Sequence, residues 1–394
     1  MNMKEAVTDQ AKLRLRELLE ANSRLSFPRP TSPQLSILLV LHNRAELTLA
    51  CLRSIQPCLR ELAAEVILVD NASRDETSLL LDRLRGATVI RNSENVGFPV
   101  GVNQAAEAAG GDFLLLLNND TEVQADSVRS ALRFLVENPD VGAAGGRIVL
   151  LDGTLQEAGC SLYREGHVLQ YGRGDRPTAP EYLFQRDVDY CSAAFLMTRR
   201  ELFRKMGGLD TAFSPGYFED VDYCVRLWRC GWRVVYLPDV LVRHYENASS
   251  SCWKRIVHLY RRNHLIFTHK HADWLSWKCP AATTPHLRAR SSHDDRFKVL
   301  YLPTESKDAS PTARIVGRLR SLSCFVTVYP VGEGADAVGL PPDVEVLPDG
   351  GLDKLSEFLA QRRGYYDCVL AGDPQILQLV RRFVARPAAT PASL

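Results

Sequence analysis

No run of apolar residues in the 394-residue chain has the length of a membrane-spanning helix. The longest runs, such as residues 66–69 and 113–117, have the length of strands, whereas crossing a bilayer takes about 20 residues. The N-terminus also lacks the central apolar region of a signal peptide, because charged residues alternate with its apolar positions. The sequence therefore predicts a cytoplasmic protein.

The chain has no surplus of either charge, since 48 Lys and Arg residues face 47 Asp and Glu residues. Without a basic field, nucleic acid is not an expected partner.

The ten cysteines are scattered and include no CxxC pair, which argues against a zinc site and a disulfide framework and predicts reduced, mostly buried thiols. The absence of GxGxxG and GxxxxGK[ST] loops argues against dinucleotide enzymes and P-loop NTPases.

The composition, 45% hydrophobic and 24% charged, is that of a folded protein, and the length favours two domains. Residues 1–25 are predicted to form one amphipathic helix that docks on the main domain, with contact to a membrane surface as the alternative. Its apolar positions near one side are Leu15, Leu18, Leu19 and Leu25. The predicted divisions are a helix and linker at 1–33, a main domain at 34–274, a linker at 275–295 and a smaller α/β half-domain at 296–394.

Apolar runs alternate with helical stretches from residue 35 onward, and Ser73 and Glu76 have the spacing of a capping box. This order predicts right-handed crossovers and a mostly parallel, Rossmann-like sheet, so the fold class is α/β. The predicted strands are residues 36–41, 65–70, 88–91 and 113–117. Later predicted elements are an irregular loop at 151–190, a strand at 191–198, helices at about 220–230 and 254–270, and a strand at 233–237 before Pro238.

Polar residues follow three of these strands, and ligands bind beyond the carboxyl ends of strands in such sheets. The three groups are 42–44 (His-Asn-Arg), 70–71 (Asp-Asn) and 118–120 (Asn-Asn-Asp). Each group taken alone is also explained by ordinary helix capping. Their convergence at one edge is what predicts a binding site.

Asp120 comes directly after a buried strand and is a candidate ligand for Mg²⁺ or Mn²⁺, which take oxygen ligands and often share them with substrate phosphates. Asn118 or Asn119 would then contact a ribose or a sugar. The alternative for Asp120 is a turn or N-cap residue. His244 follows the predicted strand and Pro238, and it is either a further metal or phosphate ligand or a structural histidine.

Three carboxylates crowd the start of the predicted helix at 220–230, where acidic residues are favoured in any case. We assign Asp220 as the general base that takes a proton from an acceptor hydroxyl, and Glu219 as the residue that orients the acceptor. Asp222 is expected to cap the helix or to pair with an arginine.

Asp70 suits a nucleotide base or ribose contact, because a carboxylate accepts hydrogen bonds from ring N–H groups and hydroxyls. A glycine-punctuated turn into a helix allows the backbone to approach a nucleotide closely. The residues of this turn are Asn95, Gly97 and Asn103.

Five segments in this order resemble family 2 glycosyltransferases of the GT-A fold, and within them the bacterial rhamnosyltransferase-like subgroup that acts on surface polysaccharides. The resemblance covers roughly residues 35–270. The segments are HNR at 42–44, VDNASRD at 69–75, NVGFPVGVN at 95–103, LLNNDTE at 116–122 and FEDVDYCVR…GW…P…H at 218–244.

The resemblance implies the nucleotide-diphospho-sugar transferase fold and an inverting transfer, in which a hydroxyl deprotonated by Asp220 attacks the anomeric carbon. It implies a metal held by Asp120 and His244, and nucleotide contacts at Asn43, Arg44 and Asp70. One departure is that the family's DxD motif is here Asn-Asn-Asp at 118–120. The donor is expected to be dTDP-rhamnose or a UDP-sugar and the acceptor a glycan or lipid-linked glycan, which places the protein in the cytoplasm or peripherally at the inner membrane face.

The tail from residue 296 resembles the first half of a GT-B-fold, family 4 glycosyltransferase. The half that carries that family's catalytic acidic pair is missing, so the tail is expected to have no activity of its own and is a candidate for partner docking.

Two alternative functions remain for the chain. They are a non-catalytic scaffold with this fold and, less favoured, a sugar-nucleotide pyrophosphorylase, which would need a Gly-rich basic loop after the first strand.

Overall fold

The structure is a computed structural model that describes residues 3–246, 253–283, 286–290, 294, 296–303, 310–331, 339–348, 351–380 and 383. The chain divides into two compact units. The first unit comprises residues 1–177 and 187–283, and the second comprises 178–186 and 284–394.

The first unit alternates strands and helices through its N-terminal half, as the apolar pattern predicts. Its strands are β1 (Leu25–Ser26), β2 (Leu35–Leu41), β3 (Ala64–Asn71), β4 (Leu84–Arg85), β5 (Thr88–Asn92), β6 (Phe113–Leu117), β7 (Thr121–Val123), β8 (Val141–Val149), β9 (Leu155–Ala158), β10 (Cys160–Leu162), β11 (Val168–Gln170), β12 (Arg186–Asp187, at the unit boundary), β13 (Phe195–Arg199) and β14 (Arg233–His244). Its helices are α1 (Met3–Glu20), α2 (Ala45–Ile55), α3 (Thr77–Asp82), α4 (Phe98–Ala108), α5 (Ser127–Glu137), α6 (Arg200–Lys205), α7 (Glu219–Arg229), α8 (Trp253–Lys270) and α9 (Ala272–Leu275).

The main sheet has the order β14-β8-β13-β6-β2-β3-β5, with β7 paired to β14 and β9 paired to β8. Strands β6, β2, β3 and β5 are parallel, which confirms the predicted mostly parallel sheet. Strand β13 runs antiparallel between β6 and β8, while β14 is parallel to β8. The carboxyl ends of β2, β3 and β6 therefore lie side by side at one edge of the sheet.

Both faces of this sheet are buried. Every second residue of β2 from Leu35 to Leu41 belongs to the hydrophobic cluster on one of these faces. Helix α1 packs onto the same core through Leu15 and Leu18, which confirms the predicted docking of the N-terminal helix. Leu25 does not extend that helix, because it lies in β1 and pairs in parallel with Leu84 of β4. None of the helices that the structure describes has the length and apolar character needed to cross a membrane.

Two local predictions are wrong for identifiable reasons. Ser73 caps no helix, because its hydroxyl accepts a hydrogen bond from the backbone N–H of Asn43 at 2.8 Å and α3 begins only at Thr77.

Pro238 does not end its strand, since β14 continues to His244 after a register shift against β8 between Leu237 and Leu241. A bulge accommodates the residue that cannot donate to the ladder.

The second unit is a four-stranded parallel sheet with the order β17-β16-β15-β18. Its core includes Phe184. This residue lies in the segment 178–186, which belongs to the second unit although the first unit resumes at residue 187. The strands are β15 (Phe297–Leu302), β16 (Cys324–Val328), β17 (Glu345–Val346) and β18 (Cys368–Ala371), and the helices are α10 (His286–Arg290), α11 (Ser310–Ser321), α12 (Gly351–Gln361) and α13 (Pro374–Val380).

We expect Leu18→Ala in α1 to lower the free energy of unfolding by about 2–4 kcal/mol, because Leu18 is 3% exposed in the core and its truncation leaves a cavity. Leu13→Ala on the same helix is the matched control. Leu13 is 52% exposed, so its truncation should change stability by less than about 0.5 kcal/mol. Urea unfolding followed by circular dichroism measures both, and equal losses would contradict the docking of α1 on the core.

Candidate active site

A cavity of about 720 Å³ lies at the carboxyl ends of β2, β3 and β6, within the first unit. All three polar strand ends contribute to it, so the predicted convergence is confirmed. The predicted site residues in its lining are Asn95, Asn118, Asn119, Asp120, Glu219, Asp220 and His244, and further strand-end residues there are His42 and Asn71.

Asp120 and His244 meet in this lining although 124 residues separate them. Asp120 follows β6, and His244 is the last residue of β14, whose pairing with β7 brings it opposite Thr121. The His244 Nε2 atom lies 3.1 Å from Asp120 Oδ1, and both residues are 7% exposed. The two side chains thus present oxygen and nitrogen donors to the same point of the cavity.

Gln156 of β9 holds the other side of the histidine ring. Its Oε1 atom lies 2.8 Å from His244 Nδ1 and accepts the Nδ1 proton in this arrangement. Burial lowers the pKa of His244, but the charge and hydrogen bond of Asp120, with smaller contributions from Glu246 and Glu157, outweigh it and raise the pKa overall. The ring is therefore fixed between two acceptors, with Nε2 turned toward Asp120.

Asn119 is anchored beneath the cavity, because its amide donates to Thr48 Oγ1 of α2 at 2.9 Å. Asn118 is half-buried in the lining, and its backbone N–H donates to the carbonyl of Ala194. Of the two amides, Asn118 is the better placed to contact a ligand.

Glu219 and Asp220 also line the cavity, at the first turn of α7. The Asp220 carboxylate accepts the backbone N–H of Ala193 at 3.0 Å and of Val221 at 2.8 Å. Burial raises the pKa of Asp220, although these two N–H groups oppose the shift. Burial also raises the pKa of Glu219 well above its usual range, and the Asp220 charge adds to that effect. The pair therefore favours a protonated Glu219 beside an ionised Asp220.

Glu219 is 6% exposed, and its Oε2 atom has no hydrogen-bond partner among the residues that the structure describes. A buried carboxyl oxygen without a partner is costly unless a ligand completes its hydrogen bonding. Glu219 also lines the cavity, so the carboxyl group with this unpartnered oxygen belongs to the wall of the candidate site.

The backbone before α7 is held in an uncommon conformation, since Tyr217 and Phe218 both have φ of +74°. Asn263 of α8 supports this turn, because its Nδ2 atom lies within 3.0 Å of the carbonyl oxygens of Phe213, Gly216 and Tyr217. Such backbone strain persists where the surroundings hold it, and it concentrates at functional sites.

Asp222, two residues after Asp220, has the structural role of pairing with an arginine that we expected. Its buried carboxylate accepts from Arg226 at 2.7 Å and from His271 at 2.8 Å, and it pairs with Lys270 at 2.7 Å. Burial alone raises its pKa, but these three neighbours lower it overall. Asp222 is therefore an ionised anchor for the helix.

Five predicted site residues do not line the cavity: Asn43, Arg44, Asp70, Gly97 and Asn103. Three of them make hydrogen bonds to the backbone. Asn43 Oδ1 accepts the Arg74 N–H, Asp70 Oδ1 accepts the Ser73 N–H, and Asn103 exchanges two hydrogen bonds with the backbone of Leu209. Their nucleotide roles stay predictions, and the geometry gives each of these three a structural role.

Several lining residues come from the segment 151–190, where the sequence pattern indicates only an irregular loop. Glu157 is 1% exposed and accepts the Ser192 N–H at 3.2 Å, and burial raises its pKa. Arg173 lies at the cavity edge in a two-bond pair with Glu246. A polar pair, Gln156 and Glu157, within a short apolar strand is the one signal in the sequence that could have indicated these residues.

Residues 36–207 match the sequence profile described as Glycosyl transferase family 2. The O-antigen biosynthesis protein RfbC of Myxococcus xanthus is 28% identical over 308 residues, which cover 74% of this chain and 24% of that protein. This chain therefore spans about a quarter of the length of that relative. The N-acetylglucosaminyl-diphospho-decaprenol L-rhamnosyltransferase of Mycobacterium tuberculosis is 29% identical over 266 residues, which cover 59% of this chain and 85% of that protein.

Among solved structures, the crystal structure of GalNAc-T7 with UDP, GalNAc and Mn²⁺ superposes with a TM-score of 0.51 at 15% identity. The match covers 62% of this chain and 50% of that chain, and at this identity it shows the fold alone. Fold and family profile agree with each other and with the expected GT-A architecture. Residues 36–207 thus match the family 2 glycosyltransferase profile, and the unit that contains them has the GT-A fold.

Proposed function

We propose that this chain is an inverting glycosyltransferase that moves a sugar from a nucleoside diphosphate to a glycan hydroxyl in the synthesis of a bacterial surface polysaccharide. The observation that carries the proposal is the placement of two pairs of titratable side chains in one cavity. The Asp120–His244 pair and the Glu219–Asp220 pair both line it. The names of the Myxococcus and Mycobacterium relatives support the polysaccharide and rhamnosyl assignments.

Asp220 is the proposed general base. Its raised pKa makes it a stronger base than an exposed aspartate, while the Ala193 and Val221 N–H groups fix its orientation. It takes the acceptor proton as the acceptor oxygen forms its bond to the anomeric carbon and the bond from that carbon to the diphosphate oxygen breaks. A protonated Glu219 beside it can donate a hydrogen bond that orients the acceptor.

Asp120 and His244 are the proposed metal-binding residues. The described part of the chain contains no group of three His, Cys, Asp or Glu side chains arranged to hold a metal alone. A carboxylate with one imidazole fits Mg²⁺ or Mn²⁺ that takes its remaining ligands from the donor phosphates and water. A divalent ion bound there would supply neutralisation of the charge that forms on the leaving diphosphate. Gln156 keeps the His244 ring turned toward that point.

The donor is proposed to be dTDP-rhamnose or a UDP-sugar, with Asn118 and Asn95 in the cavity as polar contacts for it. The acceptor is proposed to be a glycan or lipid-linked glycan, with peripheral contact at the inner membrane face. Release of UDP, dTDP or GDP from a panel of nucleotide sugars with Mg²⁺ or Mn²⁺ tests the enzyme. A chain that releases no nucleotide and binds none in a metal-dependent way would instead be the non-catalytic scaffold.

We expect Asp220→Asn to reduce transfer by about 10²–10⁴-fold with an almost unchanged nucleotide Kd, because only the base is lost. Asp120→Ala should instead weaken binding of the Mn²⁺–nucleotide pair, since it removes the carboxylate donor. Isothermal titration of nucleotide with and without Mn²⁺, together with a release assay, separates the two effects. Equal losses of nucleotide affinity in both variants would refute this division of roles.

Activity should be lost on the acid side with an apparent pKa above that of an ordinary aspartate, which titrates near pH 3.9. The sign follows from the base being active only when ionised, so a raised pKa for Asp220 moves the loss of activity to higher pH. The dependence of kcat/KM on pH measures it in the wild-type chain. An acid limb at or below about pH 4 would contradict the raised pKa of the base.

The second unit is proposed to lie outside this chemistry and to serve as a docking module. A chain ending at residue 283 with Phe184→Ser should bind nucleotide with the Kd of the full chain. The substitution is needed because Phe184 packs in the core of the second unit and would lose its cover. The full chain with Phe184→Ser is the control, and loss of binding in a folded short chain alone would refute the proposal.

A further inference from the structure

Helix α8 presents two chemically different sides. Three residues of one side, Ile256, Leu259 and Tyr260, line the active-site cavity. Asn263 lies on this side too and supports the turn before α7. The remaining surface of α8 contributes nothing to the cavity.

A basic stripe runs along that remaining surface. Its members are Lys254, His258, Arg261 and Leu265, and their spacings of four, three and four residues place them on one face of a helix. The first three, with Val257, line a shallow concavity of about 330 Å³. We use the name basic stripe for these four residues.

The charged residues of α8 are all basic. Residues 253–270 contain five Lys and Arg residues and no Asp or Glu, whereas α1 carries charges of both signs. Two of the other cations of α8 are used internally. Arg262 donates to the carbonyls of Ala212 and Ser214, and Lys270 pairs with Asp222.

Lys254 and Arg261 differ from these, because neither makes an ion pair with any residue that the structure describes. Both are exposed, as is His258. Leu265 at the end of the stripe is 69% exposed, so an apolar side chain lies beside these cations in contact with solvent. Cations with an exposed apolar group on one helix face are the combination that binds the interface of an anionic bilayer.

We propose that the basic stripe docks the chain on an anionic lipid surface. The cations contact lipid phosphates, and Leu265 inserts among the upper acyl carbons. Because the cavity wall is the other side of the same helix, docking places the cavity about 10 Å from the headgroups, one helix diameter away. This deepens the proposed membrane contact by naming the surface, and it does not require that transfer takes place.

The test is co-sedimentation of the full chain with vesicles of phosphatidylcholine alone or with 30 mol% phosphatidylglycerol. We expect binding only to the anionic vesicles and a fall in binding with added salt. The double substitution Lys254→Glu/Arg261→Glu should lower the partition coefficient by at least about 25-fold, at about fivefold for each cation lost. Leu265→Ser should lower it about threefold to tenfold without changing the charge.

The matched control is Arg133→Glu/Arg204→Glu, which makes the same change in net charge at exposed positions on α5 and α6. Its partition coefficient should be close to that of the wild type, with only the small decrease that the lower net charge of the chain causes. Equal loss in the two double variants would overturn the proposal, and so would wild-type binding that is equal on both vesicle types. Binding of soluble dextran sulfate as tight as vesicle binding, with no effect of Leu265→Ser, would assign the stripe to acidic polymers and overturn the lipid assignment. Nucleotide release, measured on the same variants, reports on the transferase separately.

Discussion

The carboxylate of Asp222 has no exposed surface, and an unpaired charge in that position would be strongly destabilising. Three side chains contact this carboxylate. Arg226 lies on α7 itself, whereas Lys270 is the last residue of α8 and His271 follows it. This one anion therefore fixes the start of α7 against α8. The position of Asp220, two residues earlier, follows from that contact.

Hydrogen bonds between side chains and the backbone hold the turn before α7 and the base itself. Asn263 holds the turn that delivers Tyr217 and Phe218 in left-handed conformations, and Ala193 holds the base itself. In the same cavity, both nitrogens of the His244 ring are held, one by Gln156 and the other by Asp120. The reacting groups thus stand on rigid helix and strand ends, and little ordering remains to be done when a substrate binds.

Much of this arrangement could be predicted from the sequence, because the apolar runs define the strands and the polar residues after them define the binding edge. Asp120 and Asp220 were accessible in this way. The meeting of Asp120 with His244 was accessible only through the family resemblance, because Pro238 reads as the end of a strand that in fact continues through a bulge.

What could not be predicted depends on partners distant in sequence. Ser73 has the spacing of a cap, but its hydroxyl is used by the Asn43 N–H. Gln156 and Glu157 are placed at the cavity by the pairing of β9 with β8 and by the hydrogen bond from Ser192, which the local sequence does not indicate. No periodicity records such contacts, since each is set by the tertiary fold around a short strand.

The segment 178–186 belongs to the second unit although it interrupts the first, and this has a consequence for synthesis of the chain. Phe184 leaves the ribosome well before Phe325, its ring partner in β16. At about 5–20 residues per second, the delay is on the order of ten seconds. During that interval the nascent chain carries an uncovered apolar loop on a first unit that is still being completed, so this loop is where a chaperone or a premature association would act first.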